Sequence, residues 1–144
     1  MIAFIVALEG ITQVITYKSL KNSSREEIKL QGFKILRKLS LTRSVPAAGV
    51  MFVSQRNNGL KIDPIVWVRD IKTLFYETAC ASGTTAVALA KAVRAKNKSK
   101  TAISILQPSG KLLKVLILLK NGIPDYAEIG GLIIILKKNI SLVL

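Results

Sequence analysis

A helix that must be buried on nearly every side constrains this chain more than any other feature. The segment from Ser82 to about Lys96 is rich in alanine, and we predict that it is helical. Its apolar residues lie almost all the way round such a helix: Ala86, Val87, Ala88, Leu89, Ala90, Ala92 and Val93. A helix with this pattern is enclosed by other elements. Because alanine is small, a sheet can approach it closely, so the rest of the chain is expected to wrap around it.

Most of the remaining sequence has the composition of β-strands. Runs rich in Val, Ile and Thr are bounded by Gly, Pro and Asn, a pattern that predicts short strands and turns. The expected strands are Ile2–Tyr17 (one or two strands, interrupted at Gly10), Gly49–Ser54, Leu60–Val68, Thr73–Glu77, Thr101–Leu106 and Leu112–Leu119. Asn57-Asn58-Gly59 is typical of a tight hairpin turn, since Asn and Gly tolerate positive φ. Pro64 predicts an edge position or a bulge in its strand.

Two further stretches complete the predicted fold. Ser24 and Glu27 have the pattern of a capping box, so a first helix is expected from about Ser24 to about Leu39. The apolar tail, Leu132–Leu144, is expected to form one or two buried strands. With 144 residues, of which 50% are hydrophobic, the chain suits a single domain, residues 1–144. We therefore predict an α/β (α+β) fold, a barrel-like and mainly antiparallel sheet wrapped on one central apolar helix.

The charge of the chain is strongly positive but not concentrated. Lys and Arg number 22 against 8 Asp and Glu, which gives a net charge of +14. The densest stretch, Lys91–Lys100, falls in the last turn of the predicted helix and the loop after it, where cations complement the helix dipole. Since no aromatic residue interleaves with these charges to stack a base, a solvated surface is favoured over a specific nucleic-acid site. A basic nucleic-acid-binding protein is therefore a low-ranking interpretation of this chain.

Cysteine, histidine and hydropathy restrict the chemistry and the compartment. Cys80 is the sole cysteine and histidine is absent, so neither an intrachain disulfide nor a Cys/His metal site can form. The lack of disulfides fits a reducing cytoplasm. No apolar run approaches the ~20 residues of a membrane-spanning helix, and no basic residue precedes the apolar start, Met1–Leu8. We therefore expect a cytoplasmic protein that is neither secreted nor embedded in a membrane.

Cys80 lies where a predicted strand ends and the buried helix begins. The unpaired N–H groups of a first helical turn stabilise an anion, and they lower the pKa of a nearby thiol. A thiolate beside an anion-binding turn is what proton abstraction next to a carboxylate requires. The simpler interpretation makes Cys80 a small buried hydrophobe, with Ser82 or Thr84 as a plain N-cap. The residues alone leave both interpretations open.

The residues around Cys80 resemble a known family motif. Cys80–Ala86, C-A-S-G-T-T-A, is similar to the second-cysteine motif, C-G-[ST]-G-[ST], of the diaminopimelate epimerase and proline racemase superfamily. The longer run Pro64–Ala90 looks closest to the histidine racemase branch. Further segments resemble the family in the same order: Glu9–Gln13, Gln107–Leu112 and Ala127–Gly131. The resemblance covers nearly the whole chain, but only the second, C-terminal, of the family's two domains.

The resemblance implies a mechanism and a set of site residues. The family has two similar α/β domains, each a sheet wrapped on a central helix, with the active site between them. Each domain supplies one cysteine. One thiolate removes the substrate α-proton and the opposite thiol delivers a proton to the other face, without pyridoxal phosphate, a metal or another cofactor. By position, Cys80 is one of these acid/base cysteines, and the N–H groups of Ala81, Ser82 and Gly83 hold the carboxylate of an amino-acid substrate.

The same resemblance implies a partner. The first racemase domain would come from another chain or from a missing N-terminal part, and a homodimer is a further arrangement. Because this chain has a single cysteine, it is expected to be inactive alone.

The sequence departs from the family pattern at several positions. Ala81 replaces the usual glycine after the cysteine, and it would be strained if that position needed positive φ. Gln13 stands where the family's second domain often has a histidine that assists the first domain's cysteine. Ala48 matches an asparagine that binds substrate in the diaminopimelate branch, which argues against diaminopimelate as substrate. A noncatalytic remnant or binding module on the same fold is therefore the main alternative.

A few other residues have both a functional and a structural interpretation. Glu77, three residues before the cysteine, is either acid/base support for the thiol or a strand-end carboxylate in solvent. Arg69 and Asp70 are expected to form a surface ion pair rather than to contact substrate. Trp67 and Tyr76 are expected to pack on a domain face rather than to bind ligand, or to be exposed interface residues if the other domain is missing.

Overall fold

The computed structural model describes residues 2–18, 20, 22–56, 59–95 and 99–132. Within these ranges the chain forms eight strands and three helices. In chain order they are β1 (Ile2–Leu8), β2 (Ile11–Thr16), α1 (Arg25–Lys38), α2 (Leu41–Ser44), β3 (Ala47–Arg56), β4 (Gly59–Val68), β5 (Thr73–Tyr76), α3 (Ala81–Arg94), β6 (Lys100–Leu106), β7 (Leu112–Lys120) and β8 (Ile123–Gly131). No helix in the described ranges is long and apolar enough to cross a membrane.

The predicted break at Gly10 lies within the described residues, whereas part of the predicted hairpin turn and most of the apolar tail do not. The expected break at Gly10 is confirmed, since this residue separates β1 from β2 with a φ of 79°. Asn57 and Asn58 of the predicted hairpin turn lie outside the described residues, although Arg56 and Gly59 on either side are paired. Residues 133–144 of the apolar tail, predicted as buried strands, also lie outside them.

The strands form one sheet in the order β1-β2-β3-β4-β6-β7-β8, and β5 pairs with the end of β4. The β2–β3 and β4–β6 pairs are parallel, and the other pairs are antiparallel. A parallel pair needs a crossover connection, which α1 and α2 provide between β2 and β3. The predicted α/β (α+β) fold with a mainly antiparallel sheet is confirmed. The sheet is open rather than a closed barrel, because β1 and β8 stand at its two ends in the described part of the chain.

α3 lies against one face of this sheet. It contacts β1, β2, β3, β6, β7 and β8, so strands from both ends of the sheet reach it. Its buried residues are Gly83, Thr84, Ala86, Val87, Ala88, Ala90 and Ala92. The prediction of a central, enclosed, alanine-rich helix is confirmed. Of the apolar residues predicted to line it, Leu89 is half-buried, and Val93 is 45% exposed because it lies in the last turn beside Lys91 and Arg94.

α1 covers the opposite face of the sheet. The capping box is confirmed, since Ser24 Oγ accepts the Glu27 N–H at 3.2 Å and the Glu27 carboxylate accepts the Ser24 N–H at 2.6 Å. Val14 and Ile15, which are adjacent on β2, belong to separate core clusters. Because successive strand residues point to opposite faces, Val14 packs beneath α1 and Ile15 beneath α3.

Trp67 packs on the α1 face, as predicted. Its ring centroid lies 5.1 Å from that of Phe33 on α1. Its indole N–H donates to the Thr42 carbonyl at 3.2 Å, which ties β4 to α2. The tryptophan therefore holds both helices against the sheet rather than lining the cysteine site.

Pro64 lies in β4 next to the point where the pairing with β5 ends. On one side it lies opposite Met51 of β3, and the β3–β4 register has no shift there. On the other side its carbonyl accepts the Glu77 N–H at 3.0 Å, one residue beyond the Ile65–Tyr76 pair. The predicted edge position is therefore wrong, since Pro64 has a neighbouring segment on both sides of a central strand.

Candidate active site

Cys80 is the N-cap residue of α3. Its backbone is extended, with φ −132° and ψ 103°, and the helix begins at Ala81. The Cys80 carbonyl accepts the Thr84 N–H at 3.0 Å and the Thr84 hydroxyl at 2.5 Å. These bonds fix the start of the helix at the cysteine. The predicted position of the thiol, at the mouth of the buried helix, is therefore confirmed.

Two polar groups lie close to the sulfur. The Gly83 N–H donates to Cys80 Sγ at 3.3 Å, and Ser82 Oγ lies 3.7 Å from the same sulfur. Cys80 is only 3% exposed and belongs to a core cluster with Met51 and Val66. The thiol is therefore buried, but its surroundings include the polar groups of the helix start as well as apolar side chains.

The thiol of Cys80 strongly favours its neutral form. Burial away from water, followed by the hydrogen bond and negative charge of Glu77, raises the pKa of Cys80 from 9.0 to about 12. Ser82 and the Gly83 N–H lower this pKa but do not compensate. The N–H group at the start of the helix lowers this pKa, as predicted, but its effect is outweighed and the net shift is upward. The reason is that dehydration and a nearby carboxylate disfavour the thiolate more than two donors favour it.

Gln107 connects the cysteine to the hairpin between β6 and β7. Its Oε1 accepts the Cys80 N–H at 3.1 Å, and its Nε2 donates to Thr84 Oγ1 at 3.0 Å and to the Ile105 carbonyl at 3.1 Å. Gln107 is fully buried, so these bonds satisfy an amide that water cannot reach. The sequence alone does not identify Gln107 as a site residue, although it belongs to a segment that resembles the family. Its contact with Cys80 joins residues 27 positions apart, and such a contact leaves no local sequence signal.

Gln13 reaches the same site from β2. Its side chain is fully buried, and its Nε2 donates to Ser82 Oγ at 3.0 Å. Gly49 lies opposite it on β3, where any side chain would overlap Gln13 Oε1. Gln13 stands where the family often has a histidine. Its amide therefore contacts Ser82, two residues after Cys80.

The first turn of α3 contains the residues predicted to hold a carboxylate. Ala81 is exposed and Ser82 is half-buried, and their N–H groups have no acceptor within the helix. Ala81 does not have positive φ, so the strain expected from replacing glycine is not present. The Gly83 N–H, in contrast, is already bonded to Cys80 Sγ.

The structure brings Glu77 to the thiol and places the other candidates elsewhere. Glu77 is half-buried, and its carboxylate acts on the Cys80 thiol by raising its pKa. Arg69 Nε and Asp70 Oδ1 form the expected surface ion pair at 3.0 Å. Ala48 is buried in the cluster beneath α1, on the face of the sheet away from the cysteine. Among the described residues, no group of three or more His, Cys, Asp or Glu side chains is placed to hold a metal ion.

A groove of about 740 Å³ lies away from the cysteine, and Ile28 and Phe52 of the α1-side core are among its lining residues. Within it, the Tyr76 hydroxyl donates to Asp63 Oδ1 at 2.5 Å, and Lys61 Nζ lies 3.0 Å from the same oxygen. Burial, followed by Asp63, raises the pKa of Tyr76 above its usual value. Since neither the thiol nor the first turn of α3 lines this groove, it is separate from the candidate active site.

Solved structures of isomerases share this architecture. A hydroxyproline epimerase from Agrobacterium vitis superimposes with a TM-score of 0.55, covering 84% of this chain and 38% of its own, at 14% sequence identity. A methylitaconate-delta-isomerase superimposes with a TM-score of 0.50, covering 80% of this chain and 33% of its own, also at 14% identity. At this identity the likeness shows the fold alone. The class is thus an α+β unit of the proline-racemase-like fold, with a cysteine at the start of its central helix.

Residues 1–138 match the family model described as the histidine racemase CntK N-terminal domain. The chain therefore belongs to the histidine racemase family. Two histidine racemases from strains of Fusobacterium nucleatum subsp. nucleatum are 31% and 32% identical to it over 109 residues, which is 75% of this chain. The chain spans 38% of the length of these relatives.

The family description and the cysteine motif differ on which half of such an enzyme the chain represents. The matching family model is described as an N-terminal domain, whereas Cys80–Ala86 resembles the motif of the second domain. Membership of the family rests on the match of residues 1–138 to the family model. The description of the family model does not support the predicted placement as the C-terminal half, which stays a prediction.

Proposed function

We propose that this chain is one domain of a cofactor-independent amino-acid racemase or epimerase, in which the Cys80 thiol transfers the substrate α-proton. The observation that carries the proposal is the position of Cys80 at the N-cap of α3, with the Gly83 N–H and Ser82 Oγ at 3.3 Å and 3.7 Å from its sulfur. A cysteine that only filled the core would need neither the helix start nor polar partners. Membership of the histidine racemase family supports the same chemistry.

The reaction moves one proton at each face of the substrate and involves no redox change. As a thiolate, Cys80 takes the α-proton and becomes a thiol, while a second thiol on the opposite face gives a proton to the resulting carbanion. The substrate carboxylate delocalises the negative charge, and the N–H groups of Ala81 and Ser82 stabilise it. In the reverse direction the two thiols exchange roles, so one enzyme interconverts both enantiomers.

Glu77 is the proton acceptor that we assign to Cys80. Because burial and Glu77 raise the pKa of Cys80 to about 12, the thiol is protonated at neutral pH and starts as a donor. To act as a base it must lose this proton, and the neighbouring carboxylate is placed to receive it. A reducing cytoplasm, the compartment we propose, keeps the thiol free for this exchange.

A second domain must supply the opposite cysteine, since Cys80 is the only one in the chain. Ile71 and Phe75 are 66% and 51% exposed along the segment that leads to Cys80, and a partner domain would cover this apolar surface. On the strength of the cysteine motif we assign the chain to the C-terminal half. The first domain then comes from another chain or from residues outside this sequence, and a homodimer is the alternative.

A chimaera tests this proposal. The chain replaces either the C-terminal or the N-terminal domain of a Fusobacterium nucleatum histidine racemase, and inversion of L-histidine is followed by chiral chromatography. Histidine is the first substrate to test because these relatives are named histidine racemases. We expect inversion only when the chain stands in the C-terminal position, and none from the chain alone.

The cysteine itself is tested in the active chimaera. Cys80→Ser should lower the inversion rate by roughly 10²–10⁴-fold, the usual contribution of a positioned acid or base. Undiminished inversion in this variant removes the thiol from the mechanism. Activity confined to the N-terminal position leaves the chemistry intact but reverses the assignment of the domain.

A noncatalytic binding module on the same fold is the second candidate function. The burial of Cys80 and its raised pKa favour it, because both keep the thiol protonated. Such a module would bind an amino-acid carboxylate at Ala81 and Ser82 without exchanging the α-proton. Calorimetric binding of histidine by the two-domain chimaera, with no inversion and with deuterium exchange from heavy water into one enantiomer at most, would select this function over the racemase.

A further inference from the structure

We propose that Gln13 is a positioning residue that makes the Ser82 hydroxyl a hydrogen-bond donor to the Cys80 thiolate. This inference rests on the proposed function, because it concerns the thiol that would transfer the α-proton. Gln13 Nε2 donates to Ser82 Oγ at 3.0 Å, and that oxygen lies 3.7 Å from Cys80 Sγ. A hydroxyl that accepts an amide N–H retains its own proton, which it can then direct to the sulfur.

The surroundings of Gln13 hold its amide in this orientation. The side chain is fully buried on β2, and the absence of a side chain at Gly49 provides the space for it. Its Oε1 is buried without a hydrogen-bond partner among the described residues. A buried amide oxygen without a hydrogen-bond partner destabilises a fold. Packing alone therefore does not explain why a glutamine is buried at position 13, and its bond to Ser82 indicates a further role.

The Gln13–Ser82 pair opposes the effect of Glu77 on the same sulfur. Glu77 is the charged side chain that acts on the thiol, and it favours the protonated form. Ser82 favours the thiolate, as a donor must. The other neighbours of the sulfur in its core cluster, such as Met51 and Val66, carry no charge. Gln13 therefore sets how readily Cys80 can change from proton donor to base.

The single cysteine of this chain makes a direct test practical. The ultraviolet absorbance of the thiolate is followed after rapid jumps to alkaline pH, with Cys80→Ala as the blank for tyrosine ionisation. The variants are Gln13→Met, which keeps the length but removes the donor, Ser82→Ala, and the double variant. The matched control is Gln55→Met, at an exposed glutamine whose amide donates to the neighbouring Arg56 carbonyl.

We expect each single variant to reduce the thiolate fraction at a given pH by about tenfold, the scale of one hydrogen bond to a charged group. The double variant should show no larger change than Ser82→Ala, because Gln13 acts through Ser82. Gln55→Met should match the parent chain. An unchanged thiol midpoint in Gln13→Met, or additive shifts in the double variant, would overturn the proposal.

Two features keep the result interpretable. Should Gln13→Met fail to fold, Gln13→Glu replaces the donor by an acceptor of the same shape. Its shift must then be smaller in the Ser82→Ala background, and an equal shift in both backgrounds overturns the proposal. The thiol midpoint is measured without substrate, so it stands apart from racemase activity. A confirmed coupling, combined with chimaeras that invert histidine in neither domain position, would refute the proposed function and leave the positioning of Ser82 intact.

Discussion

Glu77 is the charged residue with the strongest effect on the Cys80 thiol. Replacing it by glutamine removes the negative charge beside the sulfur, so we predict that Glu77→Gln lowers the pKa of Cys80. Alkylation by iodoacetamide at mildly alkaline pH should then be faster than in the parent chain. Asp70→Asn is the matched control, because Asp70 is exposed and pairs with Arg69 at the surface. Equal rates in the parent chain and Glu77→Gln would show that the carboxylate does not act on the thiol.

The same thiol makes the fold sensitive to alkali. Unfolding exposes Cys80 to water, where its pKa returns from about 12 towards 9.0. Above the lower value the unfolded chain loses a proton that the folded chain keeps, so the free energy of unfolding falls as pH rises from about 9 towards 12. Tyr76, whose pKa burial and Asp63 also raise, acts in the same direction.

Urea unfolding at a series of alkaline pH values measures this effect. Cys80→Ala should flatten the pH dependence in part, and adding Tyr76→Phe should flatten it further. An identical slope in the parent chain and both variants would contradict the assignment.

At this scale the sequence leaves Glu77 either as support for the Cys80 thiol or as a strand-end carboxylate in solvent, although only three positions separate the two residues. The direction of the thiol pKa shift could not be predicted either. The helix start that favours a thiolate is a local feature, whereas the strands that remove water from the sulfur come from distant segments. Gln13 and Gln107 reach the site by such long-range contacts, at separations of 69 and 27 positions from Ser82 and Cys80.

Gly83 lies where α3 packs closely on β3. A side chain there would overlap Met51 Sδ, and the Gly83 N–H also bonds the sulfur of Cys80. We predict that Gly83→Ala destabilises the fold by about 1–3 kcal/mol, the usual cost of overpacking a core. Gly130→Ala is the control, since a side chain at that position on β8 meets nothing within 4 Å. Urea unfolding measures both, and equal stability of the two variants would refute the close packing.

The N-terminus of α1 depends on its capping box. Ser24→Ala removes the acceptor of the Glu27 N–H, and we predict a fall in Tm of roughly 4 °C. Ser23→Ala, one residue earlier and outside the box, should leave Tm nearly unchanged. Thermal unfolding followed by circular dichroism measures both variants. A fall of the same size in Ser23→Ala would show that the loop, rather than the cap, sets the stability of α1.

Elements were predicted well wherever a local signal marks their ends. Ser24 with Glu27 placed the start of α1, and Gly10 placed the break between β1 and β2. The parallel pairing of β4 with β6 left no such signal, because the choice of partner depends on how α3 is covered. Pro64 illustrates the difference, since its missing N–H predicts an edge strand but the structure places it in a central one.

For the whole molecule, the all-round apolar pattern of α3 was sufficient to predict a sheet that encloses one helix. It did not predict that the sheet stays open, since closure depends on whether β1 and β8 meet, which neither strand's sequence specifies. The need for a partner domain follows instead from chemistry: a single thiol can serve only one face of an α-carbon. We therefore predict that the isolated chain folds but does not invert amino acids.

The most direct test of the central claim, that Cys80 serves one face of the substrate, is enantiomer-resolved exchange in heavy water. In a two-domain enzyme that contains this chain, both enantiomers of histidine should exchange their α-proton and invert. In Cys80→Ala we predict that inversion is lost while exchange persists with one enantiomer only, because the cysteine of the other domain still faces its α-proton. Inversion at the parent rate, or undiminished exchange with both enantiomers, would contradict a catalytic role for this thiol.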